Sequence, residues 1–165
     1  SWGYLDFHAN AQAQWNKVPF QMLIMPPINL SYFEQEVTVS MMKDWEFLND
    51  RQVFWALSWD MNGKLLNRIP LIKKLKWREW LAIKGVYGHL TDKNNPFLEK
   101  NKNDDTIFLF PKGSDVMGNT PYWECVVGVH NIFKFFAVEY VRRLTYINRP
   151  GIHKGGVRFN FMMSF

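Results

Sequence analysis

The sequence has little of three features that often reveal the class of a protein: cysteine, long apolar runs and an export signal. Its single cysteine, Cys125, cannot form a disulfide within the chain, and it argues against a cysteine-ligated metal site. The longest apolar stretch, residues 22–28, is much shorter than the ~20 residues that a membrane-spanning helix needs. Residues 1–14 lack the basic start and apolar core of a secretory signal, so we expect further sequence upstream.

What the chain does contain is apolar and basic. Hydrophobic residues make up 47% of the sequence and aromatic residues 17%, which excludes a disordered polar segment. The net charge is +5, and six of the 20 basic residues lie among leucines and isoleucines between positions 64 and 78. A basic segment mixed with apolar residues suits a membrane surface better than nucleic acid, with a solvated rim as the alternative. The six are Lys64, Arg68, Lys73, Lys74, Lys76 and Arg78.

The dominant pattern is the alternation of apolar and polar residues, which is typical of β-strands whose two faces meet different surroundings. In the first segment Leu5 and Phe7 share one face, while Asp6 and His8 share the other. We therefore predict an all-β fold with about seven antiparallel strands. The segments are residues 5–15, 37–45, 53–62, 79–88, 123–130, 137–146 and 157–165.

Alternation fits both a soluble barrel, with its apolar face inside, and a membrane barrel, with that face toward lipid. Three observations favour the membrane barrel: a strongly charged polar face, aromatic residues near segment ends, and segments of about 9 to 11 residues, the length that crosses hydrocarbon. The polar face then lines the lumen. Its predicted lumen-facing residues are Asp6, His8, Asn10, Gln12, Asp60, Glu124, His130, Glu139, Arg143 and Arg158.

The last segment resembles the C-terminal targeting signal of bacterial outer-membrane barrels. Apolar or aromatic residues occupy alternate positions up to the end, namely Val157, Phe159, Phe161, Met163 and Phe165. The resemblance implies a Gram-negative outer membrane with a periplasmic C-terminus. Seven strands are an odd number, and single-chain bacterial barrels have an even one. We therefore expect residues 1–165 to be the C-terminal part of one barrel domain, completed by upstream strands or by another chain.

A periplasmic C-terminus assigns a side to every connection between the predicted strands. A tight hairpin at 46–50 and the connections 90–120 and 147–155 would lie outside, whereas 16–36, 64–76 and 132–136 would lie in the periplasm. Two of these periplasmic connections are unusually long for such barrels. Arg142 falls on the apolar face, and a β-bulge near Val141 would move it to the other face.

Three stretches resemble the C-terminal region of a Bacteroidetes outer-membrane family. They are residues 66–79, 127–146 and 156–161. The members are described as a domain of unknown function that follows a carboxypeptidase-regulatory-like domain, with a barrel similar to that of the surface-antigen (BamA-like) superfamily. The resemblance implies the last seven strands of a sixteen-stranded barrel, an absent upstream periplasmic domain and no peptidase activity. The superfamily's Arg-Gly loop signature is missing from residues 46–51, which argues against insertase or secretion activity.

The candidate chemical residues form no recognisable catalytic or metal motif. His8 and His130 could meet Asp6, Glu124 or Glu139 in a metal site or around a general base, but metal-ligand spacing is absent. Ser58 and Asp60 invite a hydrolase interpretation, yet no pattern places a base beside the serine. The glycines lack a phosphate-binding spacing. We expect no enzyme activity, no cofactor and no metal.

The sequence therefore favours an outer-membrane barrel protein with a structural or assembly-related role, such as a subunit of an envelope complex. Its expected partners are membrane lipid, the remaining strands and other envelope proteins, without nucleic acid. A pore or secretion channel is the alternative, because lumen charges could select solutes. An outer-membrane hydrolase ranks third.

Overall fold

The computed structural model describes residues 2–161 and contains one antiparallel β-sheet of six strands in the order β1-β2-β3-β4-β5-β6. Each strand therefore pairs with its neighbours in the sequence. The strands are β1 (Tyr4–Ala13), β2 (Arg51–Asp60), β3 (Arg78–His89), β4 (Tyr122–Ile132), β5 (Phe136–Arg143) and β6 (Gly155–Phe161). One short helix, α1 (Pro70–Leu75), and four 3-10 turns (Phe20–Met22, Leu66–Arg68, Asp92–Asn94 and Glu99–Asn101) lie in the connections.

The pairing register places most charged residues of the strands on one face, together with several apolar residues, and makes the opposite face largely apolar. Asp6 pairs with Ser58, Ser58 with Ala82 and Ala82 with Val126, so all four point the same way. We call their side of the sheet the covered face. It also carries Asp60, Lys84, Glu124, His130, Glu139 and Arg143. We call the opposite side the bare face. It carries Leu5, Phe7, Trp55, Ile83, Val127, Tyr140, Val157, Phe159 and Phe161.

The connection between β1 and β2, residues 14–50, packs across the covered face and builds the core there. Val39, Met42 and Phe47 of this connection form one buried cluster with Phe54 and Tyr122 of the strands, among others. A second buried cluster joins Met41 to β3, β4 and β5. The connection leaves β1 next to the point where β2 begins, because the Gln14 N–H donates to the Asp50 carbonyl at 2.6 Å. Connection 14–50 is therefore a long loop whose two ends lie next to each other.

The structure corrects the expected second strand. Residues 37–45 form turns and bends, and Val39 makes only an isolated parallel bridge to Ile28. Their backbone groups bond outside any ladder, since the Val39 N–H donates to the Pro27 carbonyl and the Ser40 N–H to the Glu124 carboxylate. Alternating buried side chains therefore do not mark a strand here. The described sheet has six strands, and the hairpin expected at 46–50 is the end of connection 14–50.

The antiparallel order gathers the connections at two ends of the sheet. The loop end carries residues 14–50, 90–121 and 144–154, and the basic end carries 61–77 and 133–135. Residues 16–36 and 46–50 therefore belong to one connection that leaves and returns at the loop end, which corrects the expectation that they are two connections on opposite sides. Of the connections expected in the periplasm, only 61–77 remains long. No helix within residues 2–161 is long and apolar enough to cross a membrane.

The sheet is open within the described residues, because β1 and β6 are its two edges and do not pair with each other. The edge of β6 is partly occupied by connection 14–50: the Phe159 N–H donates to the Tyr32 carbonyl at 2.9 Å, and the Glu34 N–H donates to the Phe159 carbonyl at 2.7 Å. The described sheet therefore does not close into a barrel by itself. The six described strands are an even number, so the expectation that the sheet is incomplete is supported by its open edges and not by an odd strand count.

Arg142 lies on the bare face, as its sequence parity predicts, but the bulge expected near Val141 is absent. Strand β5 pairs without interruption through Val141 to both neighbours, and the irregularity in the β4 and β5 ladder lies instead between Val129 and Ile132. Arg142 is exposed one residue before β5 ends. A long cationic side chain at that position can extend toward water beyond the strand end.

Candidate functional site

The notable cluster of chemical groups is a buried charge network between the covered face and connection 14–50. The sheet supplies Lys84, Glu124, His130, Glu139 and Arg143, and the connection supplies Glu34 and Glu46; each is at most 7% exposed. Charged side chains are seldom buried without a partner, because removing them from water is costly. Their contacts therefore show how this face is held.

Glu46 and Arg143 form a two-pronged ion pair at the loop end. The Arg143 Nη1 and Nη2 atoms donate to the two Glu46 carboxylate oxygens at 2.9 and 2.6 Å. The remaining Arg143 donors reach backbone carbonyls, with Nε donating to Thr145 at 2.9 Å and Nη1 to Met41 at 3.2 Å. A bidentate arginine–carboxylate pair fixes both distance and orientation. Connection 14–50 is thereby attached to β5.

Glu124 accepts hydrogen bonds from the backbone of connection 14–50. The Ser40 N–H donates to it at 2.9 Å and the Met41 N–H at 3.1 Å, while the Tyr122 hydroxyl donates at 2.9 Å. The carboxylate thus replaces the carbonyl partners that these amides would have in a strand. This contact attaches the connection to β4, and it explains why residues 40 and 41 need no ladder.

Lys84 and Glu34 form a second buried ion pair, on β3. The Lys84 ammonium group contacts the Glu34 carboxylate and also donates to the Gln35 carbonyl at 3.0 Å. Glu34 in turn accepts a hydrogen bond from the Ser40 hydroxyl at 2.8 Å. The Ser40 carbonyl accepts one from Arg158 Nη2 at 2.9 Å. Ser40 therefore links the groups on β3, β4 and β6.

His130 and Glu139 pair across β4 and β5 toward the basic end. His130 Nε2 lies 2.6 Å from a Glu139 carboxylate oxygen, and the imidazole stacks on the Trp80 indole at 4.7 Å between ring centres. Both side chains are almost fully buried. The second Glu139 oxygen has no hydrogen-bond partner in the described part of the chain. The geometry supports a structural contact between two strands.

All ten polar residues predicted to line a lumen lie on the covered face, but their surroundings differ. Glu124, His130, Glu139 and Arg143 are buried, and so is Asp60, which accepts a hydrogen bond from the Asn62 N–H at 2.7 Å. Arg158 is half-buried. The four on β1 (Asp6, His8, Asn10 and Gln12) are half-buried or exposed, because connection 14–50 does not cover them. The predicted hydration of the polar face is therefore found on β1, whereas the polar residues beneath the connection are buried.

The structure also places the residues considered for chemistry. His8 lies 3.3 Å from Asp6, and one ligand atom from each of these residues and from Glu36 fall within 4.8 Å of one another at the surface. His130 is remote from this group and is held by Glu139. Ser58 pairs in register with Asp6, whereas the Asp60 carboxylate faces Asn62 and Arg78. Ser58 and Asp60 thus have separate partners.

The predicted C-terminal strand is present as far as it is described. Val157, Phe159 and Phe161 lie on the bare face and are exposed, with Phe136 stacked on Phe159. Met163 and Phe165 lie outside the described residues.

Sequence reasoning missed the residues that hold connection 14–50 in place. The sequence pattern predicts Glu34 in a connection, Ser40 in a strand and Glu46 in a hairpin, and it does not distinguish Lys84 from its neighbours. One available signal was charge: residues 14–50 hold five acidic residues and two lysines, opposite strands that carry Lys84, Arg143 and Arg158. A connection with this excess of acid is complementary to those cations.

The network attaches one segment to four strands, β3 through β6, and places no nucleophile beside a free base. Such an arrangement can hold a segment on the sheet and exclude water from it. Comparison of the chain with protein-family models, with curated proteins and with solved structures finds no match.

Proposed function

We propose that β1–β6 are membrane-spanning strands of an outer-membrane β-barrel, with the bare face against lipid and the covered face toward the interior. One observation carries the proposal: the sheet buries charged side chains next to the apolar core of its covered face and leaves large apolar side chains exposed across its bare face. Glu124 and Arg143 are 0% and 1% exposed, whereas Leu5, Val127 and Phe161 are 63%, 55% and 56% exposed. Soluble monomers rarely expose a continuous apolar surface of this extent.

Strand length supports the same proposal. The first four strands have 10, 10, 12 and 11 residues. A tilted strand needs about 9 to 11 residues to cross the hydrocarbon of a bilayer, whereas strands of soluble proteins are commonly about five or six residues long. The bare face would then be as tall as the apolar layer that it contacts.

The open edges of the sheet require further strands in such a setting. An unpaired backbone group in hydrocarbon costs several kcal/mol, so lipid-exposed sheet edges are not tolerated. The outer edge of β1 has no neighbouring strand among the described residues. We propose that strands outside this chain segment, or from a second chain, complete the barrel. A sixteen-stranded total, the Bacteroidetes family resemblance and a periplasmic C-terminus belong to the same proposal.

The proposed role is structural or assembly-related, without chemistry of its own. Connection 14–50 lies against the strand faces that a channel would need to keep open, and buried ion pairs hold it there. This favours a barrel with a filled interior, acting alone or as a subunit of an envelope complex, over a permanently open pore.

The test is the contact between the bare face and acyl chains. Trp55 and Trp123 form a tryptophan pair on the bare face, with ring centres 5.0 Å apart. In vesicles with bromine on the middle of the acyl chains, the fluorescence of a protein whose other tryptophans are replaced by phenylalanine should be quenched. A matched protein that retains only Trp80, on the covered face, should be quenched much less. Equal quenching of the two, or none of either, would contradict the proposal.

A further inference from the structure

The basic end of the sheet has an unusual charge composition. Residues 61–78 and 130–136 contain seven lysines and arginines and no acidic residue, and the acidic residues that flank the first range, Asp60 and Glu79, are buried. The seven are Lys64, Arg68, Lys73, Lys74, Lys76, Arg78 and Lys134. The connections that leave from the loop end, residues 14–50 and 90–121, contain by contrast ten acidic residues among their lysines, and all but Glu34, Glu46 and Asp50 are exposed or half-buried. The two ends therefore present different charges to whatever surrounds them.

The same end exposes large apolar side chains beside its cations. Leu71 and Leu75 lie one turn apart on α1, and Leu71 is 77% exposed; no residue of α1 is buried. Trp2 is exposed under the Lys64 ammonium group. Phe133 and Phe135 are exposed in the β4 and β5 turn. The turn leads directly to Phe136, which stacks on Phe159 of the bare face, so this apolar surface is continuous with that face.

These residues are held in place and do not form a loose loop. Glu79 accepts hydrogen bonds from the backbone N–H groups of Leu65 and Leu66. The Asn131 side chain donates to the Lys76 carbonyl at 2.6 Å. Connection 61–77 is thus tied to β3 and to the neighbouring turn, with its apolar and cationic side chains facing outward. A ligand could therefore bind these side chains without first ordering a loop.

We propose that the basic end binds the anionic head groups of phospholipids, with its cations against the phosphates and Leu71, Leu75 and Phe133 entering the interfacial layer. Basic amphipathic segments bind anionic bilayers through this combination of charge and apolar burial. An acidic protein surface would match the cations, but it would not account for apolar side chains continuous with the bare face. The inference rests on the proposed membrane setting and adds the lipid class and the contacting residues.

The test compares lipid binding by the full-length protein, purified in a neutral detergent, and by two matched variants. Phosphatidylglycerol and phosphatidylcholine are titrated separately, and bound lipid is measured by native mass spectrometry. The protein should prefer phosphatidylglycerol. K73Q/K74Q should lose about 30-fold of that preference, since each lysine near an anionic surface contributes about fivefold. K100Q/K102Q removes two exposed lysines at the loop end and should keep it.

A second pair of variants tests the apolar part of the surface. Leu71 and Leu109 are 77% and 78% exposed, at the basic and loop ends respectively. L71N should weaken the binding of both lipids, whereas L109N should leave both unchanged. Raising the salt from 0.1 to 1 M should remove most of the preference for phosphatidylglycerol. The Debye length, over which charges interact in solution, falls from about 10 to about 3 Å.

Several outcomes overturn the inference. Equal binding of the two lipids, or equal losses in K73Q/K74Q and K100Q/K102Q, would show that no head-group surface exists at this end. Loss of a co-purifying acidic protein from K73Q/K74Q, with lipid binding intact, would assign the surface to a protein partner. Failure of the membrane proposal would be seen separately, as equal bromine quenching of the covered-face and bare-face tryptophans.

Discussion

Single residues show how charge is tolerated inside this protein. Glu46 and Arg143 are both buried and lie 2.6 Å apart, and Glu46 has a second cation, Arg149, at 3.4 Å. Removing one member of such a pair leaves an uncompensated buried charge, which typically costs about 3 to 5 kcal/mol. E46Q should therefore lower the free energy of unfolding by about 3 kcal/mol or more, measured by urea titration of the protein in lipid vesicles.

The comparison with an exposed pair and with a double variant isolates the cause. Glu99 and Lys102 form an ion pair at the surface, where such pairs contribute less than ~1 kcal/mol, so K102Q should have little effect. E46L/R143M removes both buried charges and should be closer to the wild type than E46Q is. If E46Q and K102Q were equally mild, the buried pair would not be what holds connection 14–50.

Gly85 is a residue whose small size matters on the bare face. A Cβ atom at this position would lie 2.3 Å from the Trp55 ring, which covers the glycine and packs edge-on against Trp123. G85A should displace the Trp55 ring, change the near-ultraviolet circular dichroism of the tryptophan pair and cost about 1 kcal/mol. Gly118 has open space around it, so G118A should leave the spectrum unchanged. An unchanged spectrum in G85A would mean that the ring does not occupy this place.

At the scale of elements, sequence periodicity predicts the strands well and the long connection poorly. The segments that form β1–β6 alternate, with Arg142 as an exception, and the pairing register keeps their predicted faces. Residues 37–45 also alternate, yet Ser40 and Met41 donate to the Glu124 carboxylate, 84 and 83 residues away in the chain. Alternation indicates which side chains are buried, but it does not identify the hydrogen-bond partners of the backbone. Long-range partners such as Glu34 and Lys84 leave no local pattern.

Connection 14–50 gives the element-scale prediction. Its ends lie side by side, so a short Gly-Ser turn in place of residues 15–49 should still join β1 to β2. In the proposed barrel this exposes Lys84, Glu124 and Arg143, with the apolar strand residues beside them, to a water-filled interior. The shortened protein should conduct ions in planar bilayers, whereas the intact protein should stay closed.

The control shortens another connection at the same end of the sheet. Residues 99–103 lie at the surface, away from the covered face, and replacing them with the same linker should leave the barrel closed. A shortened 14–50 variant that inserts correctly but remains closed would show that this connection does not fill the interior. An intact protein that conducts freely would favour the pore interpretation instead.

For the whole molecule, the exposed apolar face and the different charges of the two ends of the sheet are consistent with one orientation of the sheet in the proposed membrane. Charged groups lie beneath connection 14–50, apolar groups cover the bare face, and exposed cations collect at the basic end, where the flanking Asp60 and Glu79 are buried. The first residue of β1 and the last described residue of β6 both lie at that end, as expected for an even number of antiparallel strands. The sequence predicts the two faces, but the alignment of the ends depends on the true strand count.

The orientation can be measured with single cysteines in a C125S background. Lys102 is exposed at the loop end, and Lys73 is exposed at the basic end. If the sheet spans the outer membrane with a periplasmic C-terminus, a membrane-impermeant maleimide should label K102C on intact cells. K73C should be labelled only after the outer membrane is permeabilised. Reversed labelling would show that the sheet spans the membrane in the opposite orientation. Labelling of both positions on intact cells would place both ends on one side of the bilayer and contradict a membrane-spanning sheet.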